Sequence, residues 1–292
     1  MRANNYLNKN NFTALLLLVQ IILLGQTPSY KMGEQIGLTE IAPAKILGEY
    51  KDQYLMIGQA SFSLATMADP TALTLKQYNI AYFNKTTLKM EKSLPFADFV
   101  GEGTARAKTP SFEDAFFTGD TLQLITSTWD KETKEYLVHG WSLDPLTLKP
   151  YVSEAKLLAR IATERKNAVK WLSINYFENI KRIGISYLSY ERKTENSNIT
   201  LQLFDTQLKE ISKAGLQMSD TKRGTAIGRI AADSRGNVGI VYFVSDKKNA
   251  SSDDDVWARV AIYRKGSDQV REVEVTLEAG NPINGELFLK ND

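Results

Sequence analysis

"NVGIVYFVSDKKNASSDDDVWARVAIYRKGSDQVREVEV" (residues 237–275) contains, in order, an apolar run, a polar and acidic interruption, a second apolar run that ends in an aromatic residue, a short turn and a third run. Short runs rich in Val, Ile, Tyr and Thr favour β-strands over helices. The stretch therefore predicts three consecutive strands, joined first by a polar loop and then by a tight turn.

The same order of events occurs four times along the chain, with a period of about 60 residues. Each occurrence has an aromatic residue that closes an apolar run, then a polar turn, then a branched aliphatic residue followed by Lys or Arg. The four segments are "AYFNKTTLKMEKSL" from 81, "HGWSLDPLTLKPYV" from 139, "LQLFDTQLKEIS" from 201 and "AIYRKGSDQVREVEV" from 261. The aliphatic positions Leu88, Leu148, Leu208 and Val270 are separated by 60, 60 and 62 residues. Such regularity indicates a repeat architecture.

A further apolar stretch and turn precede three of these units, and Gly119 and Gly236 supply positive φ at two of the turns. Four-stranded antiparallel units repeated radially make a β-propeller. We therefore predict an all-β propeller of four-stranded blades, with repeats near 43–95, 110–155, 169–214 and 226–277 of a domain spanning 30–292. "EAKLLARIATERKNAVKWL" (154–172) is expected to be the crossover between the second and third blades. Three alternatives remain for how the ring of blades is completed: it closes at four blades, it is wider, or the chain is a piece of a longer protein.

One turn carries a resemblance to a known class of proteins. "ADSRGNVGIVY" (232–242) resembles the Asp-x-x-Gly turn between inner strands of exported bacterial β-propellers. The resemblance covers residues 43–277, and it implies the propeller fold. The chain has no Trp-Asp dipeptide, no kelch double glycine and no complete Asp-box, so no functional residues are carried over from a family.

The N-terminus has the pattern of an export signal. Arg2 and Lys9 precede the apolar segment 12–25, which is shorter than the roughly 20 residues of a spanning helix. We predict a signal peptide over residues 1–29 and a periplasmic, cell-surface or secreted protein with no transmembrane segment in its mature chain. An uncleaved signal anchor is the alternative.

Composition excludes several classes of function. The chain has no cysteine, so disulfides, thiolate chemistry and sulfur-ligated metals are excluded. Removal of residues 1–29 leaves 34 basic residues against 34 acidic ones, so the mature chain is formally neutral. A nucleic-acid partner is therefore not expected.

A Thr-x-Arg pattern recurs in the crossovers predicted between blades. Its arginines are Arg106, Arg165 and Arg223, and Lys45 is a looser match one period earlier. A ring of arginines suits a carboxylate, a phosphate or a saccharide because guanidinium groups donate paired hydrogen bonds. The competing interpretation is that each arginine pairs with an acid on the neighbouring blade and fixes the interface between blades.

Trp129 and Trp257 flank the loops between second and third strands, so they are candidates for stacking on a sugar ring. The alternative is that they cover the edge of the core. These loops and the crossovers share one face of a propeller, and they are predicted to be long and variable, as ligand-binding loops often are.

Signals for catalysis or metal binding are few. His139, the only histidine, is predicted to pack within a blade beside Leu137 and Trp141. Glu113 and Asp114 are the acids that we would assign to a glycosidase. The run Asp253–Asp255 lacks the spacing of a calcium loop and is interpreted as a solvated loop. We predict no metal site, no catalytic residue and no cofactor.

Taken together, these features predict a binding or protein-interaction module that uses the loop face of a propeller to hold an anionic ligand or a saccharide. A carbohydrate-active enzyme with carboxylates in the funnel and a scaffold within an envelope complex are the alternatives. The sequence leaves the oligomeric state open.

Overall fold

The architecture consists of consecutive four-stranded sheets. The computed structural model describes residues 42–59, 75–96, 110–163, 172–191, 196–218, 224–245, 256–267, 269–275, 287 and 289. The strands within these ranges are β1 (Ala42–Tyr50), β2 (Gln53–Gln59), β3 (Tyr78–Asn84), β4 (Met90–Pro95), β5 (Ser111–Thr118), β6 (Thr121–Asp130), β7 (Glu135–Leu143), β8 (Lys156–Ala162), β9 (Leu172–Phe177), β10 (Arg182–Glu191), β11 (Asn196–Asp205), β12 (Glu210–Met218), β13 (Gly224–Ala232), β14 (Val238–Ser245), β15 (Val256–Tyr263) and β16 (Val270–Val275). A short 3-10 turn at Leu75–Gln77 precedes β3.

Each sheet is a meander in which strands pair in chain order. The four sheets are β1–β4, β5–β8, β9–β12 and β13–β16, and every neighbouring pair is antiparallel. The predicted fold class, an all-β propeller built from four-stranded antiparallel blades, is confirmed.

Three leucines mark the 60-residue period of the sequence. Each occupies the same left-handed position in the turn between the third and fourth strands of its sheet. Leu88, Leu148 and Leu208 have φ of 58°, 56° and 60°. The left-handed conformation costs a non-glycine residue about 1–2 kcal/mol. Leu148 is only 3 % exposed, and burying a leucine contributes about 1.5–3 kcal/mol, which offsets that cost. Val270 was aligned with these leucines incorrectly: it begins β16, and the left-handed residue of the fourth turn is Gly266 at φ 84°.

The stretch predicted to be a crossover contains the fourth strand of the second sheet. β8 spans Lys156–Ala162 and pairs with β7. An irregular segment lies between the turn and β8, where Pro150 bridges back to Leu143. The residues of this segment form bends, so β8 begins only after residue 155, the predicted end of that repeat.

Apolar side chains form a core at each junction between consecutive sheets. One cluster joins the first and second sheets, a second joins the second and third, and a third joins the third and fourth. Two stacked ring pairs lie in the first two junctions: Tyr50 on Phe117, with centroids 5.5 Å apart, and Phe116 on Tyr176, with centroids 5.1 Å apart. Within the described ranges, no such cluster joins the fourth sheet to the first.

Buried polar groups link each sheet to a turn of the next. The hydroxyl of Tyr82 donates to the carbonyl of Pro145 at 2.6 Å, and Gln123 Nε2 donates to the carbonyl of Thr206 at 3.0 Å. Ser212 Oγ donates to the carbonyl of Gly236 at 2.9 Å. Each bond satisfies a buried polar group, so it fixes the angle between two sheets without leaving an unpaired donor.

Candidate functional site at the loop edge of the second sheet

The alternating strand direction separates the connections onto two edges of the molecule. The turn edge carries the tight turns between first and second and between third and fourth strands. The loop edge carries the connections between second and third strands and the crossovers between sheets. We use these two names below. Short turns and rigid sheets hold the loop edge in place, which is the usual arrangement for a binding surface.

The connection between β6 and β7 on the loop edge is shorter than predicted. It comprises only residues 131–134, and Asp130 organises it by accepting hydrogen bonds from Glu132 N and Thr133 Oγ1, both at 2.9 Å. Lys134 completes the turn with φ 60°. The short turn leaves the ends of both strands, and the side chains they carry, near the surface of the loop edge.

An aromatic pair lies beside this turn. Trp129 on β6 and Tyr136 on β7 are directly paired across the hairpin, and their ring centroids are 4.9 Å apart at an interplanar angle of 59°. Both residues are partly buried. Tyr136 contacts the core between the second and third sheets, so the pair lies on the side of the second sheet that faces the third.

A carboxylate and a hydroxyl complete the cluster. Ser127 Oγ donates to Glu113 Oε1 at 2.5 Å, and Ser127 is buried. Glu113 reaches Ser127 because it is the extra residue at an irregularity of β5, between Phe112 and Asp114. Side chains alternate along a strand, so Ser127 and Trp129 point to the same side of the sheet.

The charge of Glu113 affects the tyrosine beside it. Burial raises the pKa of Tyr136, and the negative charge of Glu113 raises that pKa further. Tyr136 is therefore a neutral phenol at physiological pH, able both to donate and to accept a hydrogen bond. We call Glu113, Ser127, Trp129 and Tyr136 together the aromatic platform.

The other acid named from the sequence has a structural partner. Lys45 Nζ on β1 donates to Asp114 Oδ1 on β5 at 2.5 Å, and this ion pair joins the first strands of two neighbouring sheets. Asp114 Oδ1 also accepts from Ala115 N at 2.8 Å. Lys45 was the looser member of the basic series, and for this residue the structure matches the interpretation of pairing between blades.

The three arginines of that series, Arg106, Arg165 and Arg223, lie outside the described residues. The structure does place Thr163, the first residue of the second Thr-x-Arg motif. Thr163 is buried directly after β8. The preceding Ala162 N donates to Ser189 Oγ at 3.1 Å, which fixes the end of β8 against the third sheet.

The remaining candidates are separated from the aromatic platform. Trp257 lies near the start of β15, on the loop edge of the fourth sheet and opposite Val244. Trp141 contacts the core between the first and second sheets and donates to Thr126 Oγ1 at 3.3 Å. His139 is on the same strand as Trp141, and burial lowers its pKa, as expected for a packed histidine. The run Asp253–Asp255 lies outside the described residues.

No group of three or more His, Cys, Asp or Glu residues suited to a metal occurs within the described ranges. In the same part of the chain, no helix is both long and apolar enough to cross a membrane.

Ser127 and Tyr136 belong to the platform but were not predicted from the sequence. The available signal was the hairpin itself: Trp129 and Tyr136 flank a four-residue turn symmetrically, so they face each other once the register of β6 and β7 is known. The position of Glu113 depends on an irregularity of β5 that has no clear mark in the sequence.

Comparison with known proteins gives the following results. No protein-family model matches the chain, and no curated protein matches it. Among solved structures, the chain is similar to a thermostable family-43 glycoside hydrolase, at 15 % identity and a TM-score of 0.40, covering 89 % of this chain and 78 % of that one.

Two further similar structures are the α-L-arabinofuranosidase Arb93A from Fusarium graminearum and the β-propeller domain of the trilobed protease from Pyrococcus furiosus. The first shows 10 % identity and a TM-score of 0.42, covering 83 % of this chain and 68 % of the other. The second shows 12 % identity and a TM-score of 0.37, covering 82 % and 58 %.

Proposed function

We propose that this propeller is an exported binding module that holds a saccharide on the aromatic platform of its second sheet. The observation that supports this proposal is the position of the Trp129–Tyr136 pair beside the Glu113–Ser127 hydrogen bond, at the loop edge. Sugar rings have an apolar face that packs on aromatic rings and hydroxyl groups that need hydrogen-bonding partners. The platform offers both kinds of contact within one hairpin and its neighbouring strand.

The charge of the platform favours a neutral saccharide over an anionic one. Glu113 is a carboxylate, and its negative charge raises the pKa of Tyr136. An anionic ligand at this position would be repelled by the same charge. A carboxylate accepts hydrogen bonds from sugar hydroxyls, and charge-assisted bonds of this kind are stronger than neutral ones.

A carbohydrate-active enzyme is the second candidate function, and the observation that supports it is the position of Glu113 in the platform. Glycosidases use two carboxyl groups on either side of the scissile bond. Asp114, the second acid named from the sequence, is held by Lys45 at the first junction between sheets. A glycosidase would therefore require Glu113 to act with an acid other than Asp114, and binding without hydrolysis is the better supported function.

Binding is tested by titrating a panel of neutral oligosaccharides into the full chain while recording tryptophan fluorescence and heat. We expect Trp129→Ala to raise the Kd about tenfold, because loss of about 1.4 kcal/mol of ring contact corresponds to that factor. Trp141→Phe is the matched control, since Trp141 lies on the opposite side of the same sheet. An unchanged Kd in Trp129→Ala, or no binding of any neutral oligosaccharide by the native chain, contradicts the proposal.

The enzyme candidate is separated from binding by measuring reducing ends released during the same titrations. If the native chain releases them and Glu113→Gln does not, while Glu113→Gln retains binding, the protein is an enzyme. If neither variant releases them, binding alone is the function of the platform.

Two further parts of the proposal concern residues 1–29 and the three arginines, which lie outside the described ranges. We propose that residues 1–29 direct export and are removed, and N-terminal sequencing of the mature protein tests this. We also propose that Arg106, Arg165 and Arg223, with Trp257, form a second contact surface for an anionic ligand or protein partner at the loop edge. A Kd for sulfated oligosaccharides that is unchanged by substituting the three arginines with glutamine would contradict it.

A further inference from the structure

One side of the fourth sheet faces away from the third sheet, and we call it the outward side. Tyr242 points into the core with the third sheet, so the alternate residues of β14, Gly239 and Val241, point the other way. On this outward side Gly239 pairs with Ile262 of β15, and Val241 pairs with Val260. The outward side of the fourth sheet is therefore apolar along its two central strands.

Burial on this outward side is uneven. Ala231, which pairs with Gly239, is 4 % exposed, and Val241 is 7 % exposed. On the outermost strand β16, Val273 is 45 % exposed and Val275 is 37 % exposed. The part of the face near β13 and β14 is thus covered, whereas the part near β16 is open.

Leu287 contributes to the cover over the inner part. A Cβ built on Gly239 would lie 2.7 Å from Leu287 Cδ2. The equivalent glycine of the third sheet, Gly184, lies at the same level of β10 and faces the fourth sheet. There, a built Cβ would lie 2.7 Å from Cγ2 of Ile230 on β13. Leu287 therefore contacts the fourth sheet where the first strand of a following sheet would contact it.

We propose that the outward face of the fourth sheet is a docking surface for the chain's own C-terminal residues Leu287 and Leu289, with Leu287 seated in the notch at Gly239. Both leucines are partly buried. A Cβ built on Gly239 would also lie 3.2 Å from the carbonyl oxygen of Ala261, so a larger residue there requires the Leu287 side chain to shift. At this face Leu287 takes the position that Ile230 of β13 takes against Gly184 of the third sheet.

The first test is a double-mutant cycle on the full chain. Gly239→Ala places a methyl group against Leu287, so we expect it to lower the Tm by about 2–4 °C more in the native background than in the Leu287→Ala background. Gly215→Ala is the control, since a Cβ there meets no atom within 4 Å. Equal effects of Gly239→Ala in both backgrounds would overturn the proposal.

The second test does not depend on how well the substituted chains tolerate a cavity. Because the chain has no cysteine, a single introduced thiol reports its own accessibility. We expect Leu287→Cys to react with a thiol reagent several-fold more slowly than Val273→Cys, which lies on the open part of the same face. Equal reaction rates in the folded protein would show that Leu287 is not seated, and the proposal would fail.

Discussion

Replacing Leu148 with glycine should lower the free energy of unfolding by about as much as replacing it with alanine, whereas glycine is normally the more destabilising of the two. Leu148 lies in the turn between β7 and β8 with φ 56°, and its side chain is buried in the junction between the first and second sheets. Its backbone N–H donates to the carbonyl of Asp144 at 2.9 Å, so the left-handed conformation is part of the turn. Both substitutions remove the buried isobutyl group, which typically costs about 2–5 kcal/mol.

The two variants differ by the Cβ atom and by the strain of the turn. At an ordinary buried position, going from alanine to glycine costs roughly 0.8 kcal/mol for the lost methyl group and about 0.5–1 kcal/mol for the greater freedom of the unfolded chain. At Leu148, glycine also releases about 1–2 kcal/mol of left-handed strain. The two variants should therefore unfold with free energies within about 0.8 kcal/mol of each other.

Leu124, which is fully buried in β6 within the same core, is the matched control. There, the glycine variant should be less stable than the alanine variant by roughly 1.5 kcal/mol, because no strain is released. Urea unfolding of the four variants, with a common slope, measures both differences. A gap at Leu148 as large as the gap at Leu124 would refute the account of this turn.

Two other predictions concern charge. Burial lowers the pKa of His139 in the folded protein. The unfolded chain therefore takes up this proton at a higher pH, about 6.5, than the folded chain does. The stability that His139 contributes above about pH 6.5 is lost as the pH falls towards the pKa of the folded state. His139→Phe should flatten the dependence of unfolding free energy on pH between about 7 and 5, and an unchanged slope contradicts the assignment, because the chain has no other histidine. Asp114→Asn should lower the free energy of unfolding by at most about 1 kcal/mol, because the ion pair with Lys45 is partly exposed, and the loss should shrink as salt is added. If the loss persists in a Lys45→Met background, the ion pair is not its cause.

The period of the chain was readable in the sequence because the same turn chemistry recurs. Asn84, Asp144 and Asp205 each accept hydrogen bonds from backbone N–H groups of their turn. A leucine follows each of them three or four residues later and donates its backbone N–H to their carbonyl. The fourth turn uses Gly266 instead, so an alignment on aliphatic residues shifted to Val270. A glycine and a buried leucine satisfy the same backbone requirement by different means, and only φ reveals the equivalence.

Only part of the aromatic platform could be predicted from the sequence, because its residues come from three different strands. Trp129 could be named from its place beside a predicted loop. Its contacts with Tyr136, and those of Glu113 with Ser127, depend on cross-strand register and on the irregularity of β5. Register is a tertiary property: it is set by the hairpin turn and by which side of each strand is buried, and one residue of error exchanges the two sides.

The consecutive phenylalanines of β5 make that strand intolerant of changes in length. Phe116 stacks on Tyr176 of the third sheet, and Phe117 stacks on Tyr50 of the first. A one-residue insertion between Glu113 and Phe116 would invert the side of the sheet on which Glu113 lies, and would turn it away from Ser127 while the two ring stacks stayed in place. Natural variation in length is therefore expected to be confined to the connections of the loop edge, where it leaves the junctions between the sheets undisturbed.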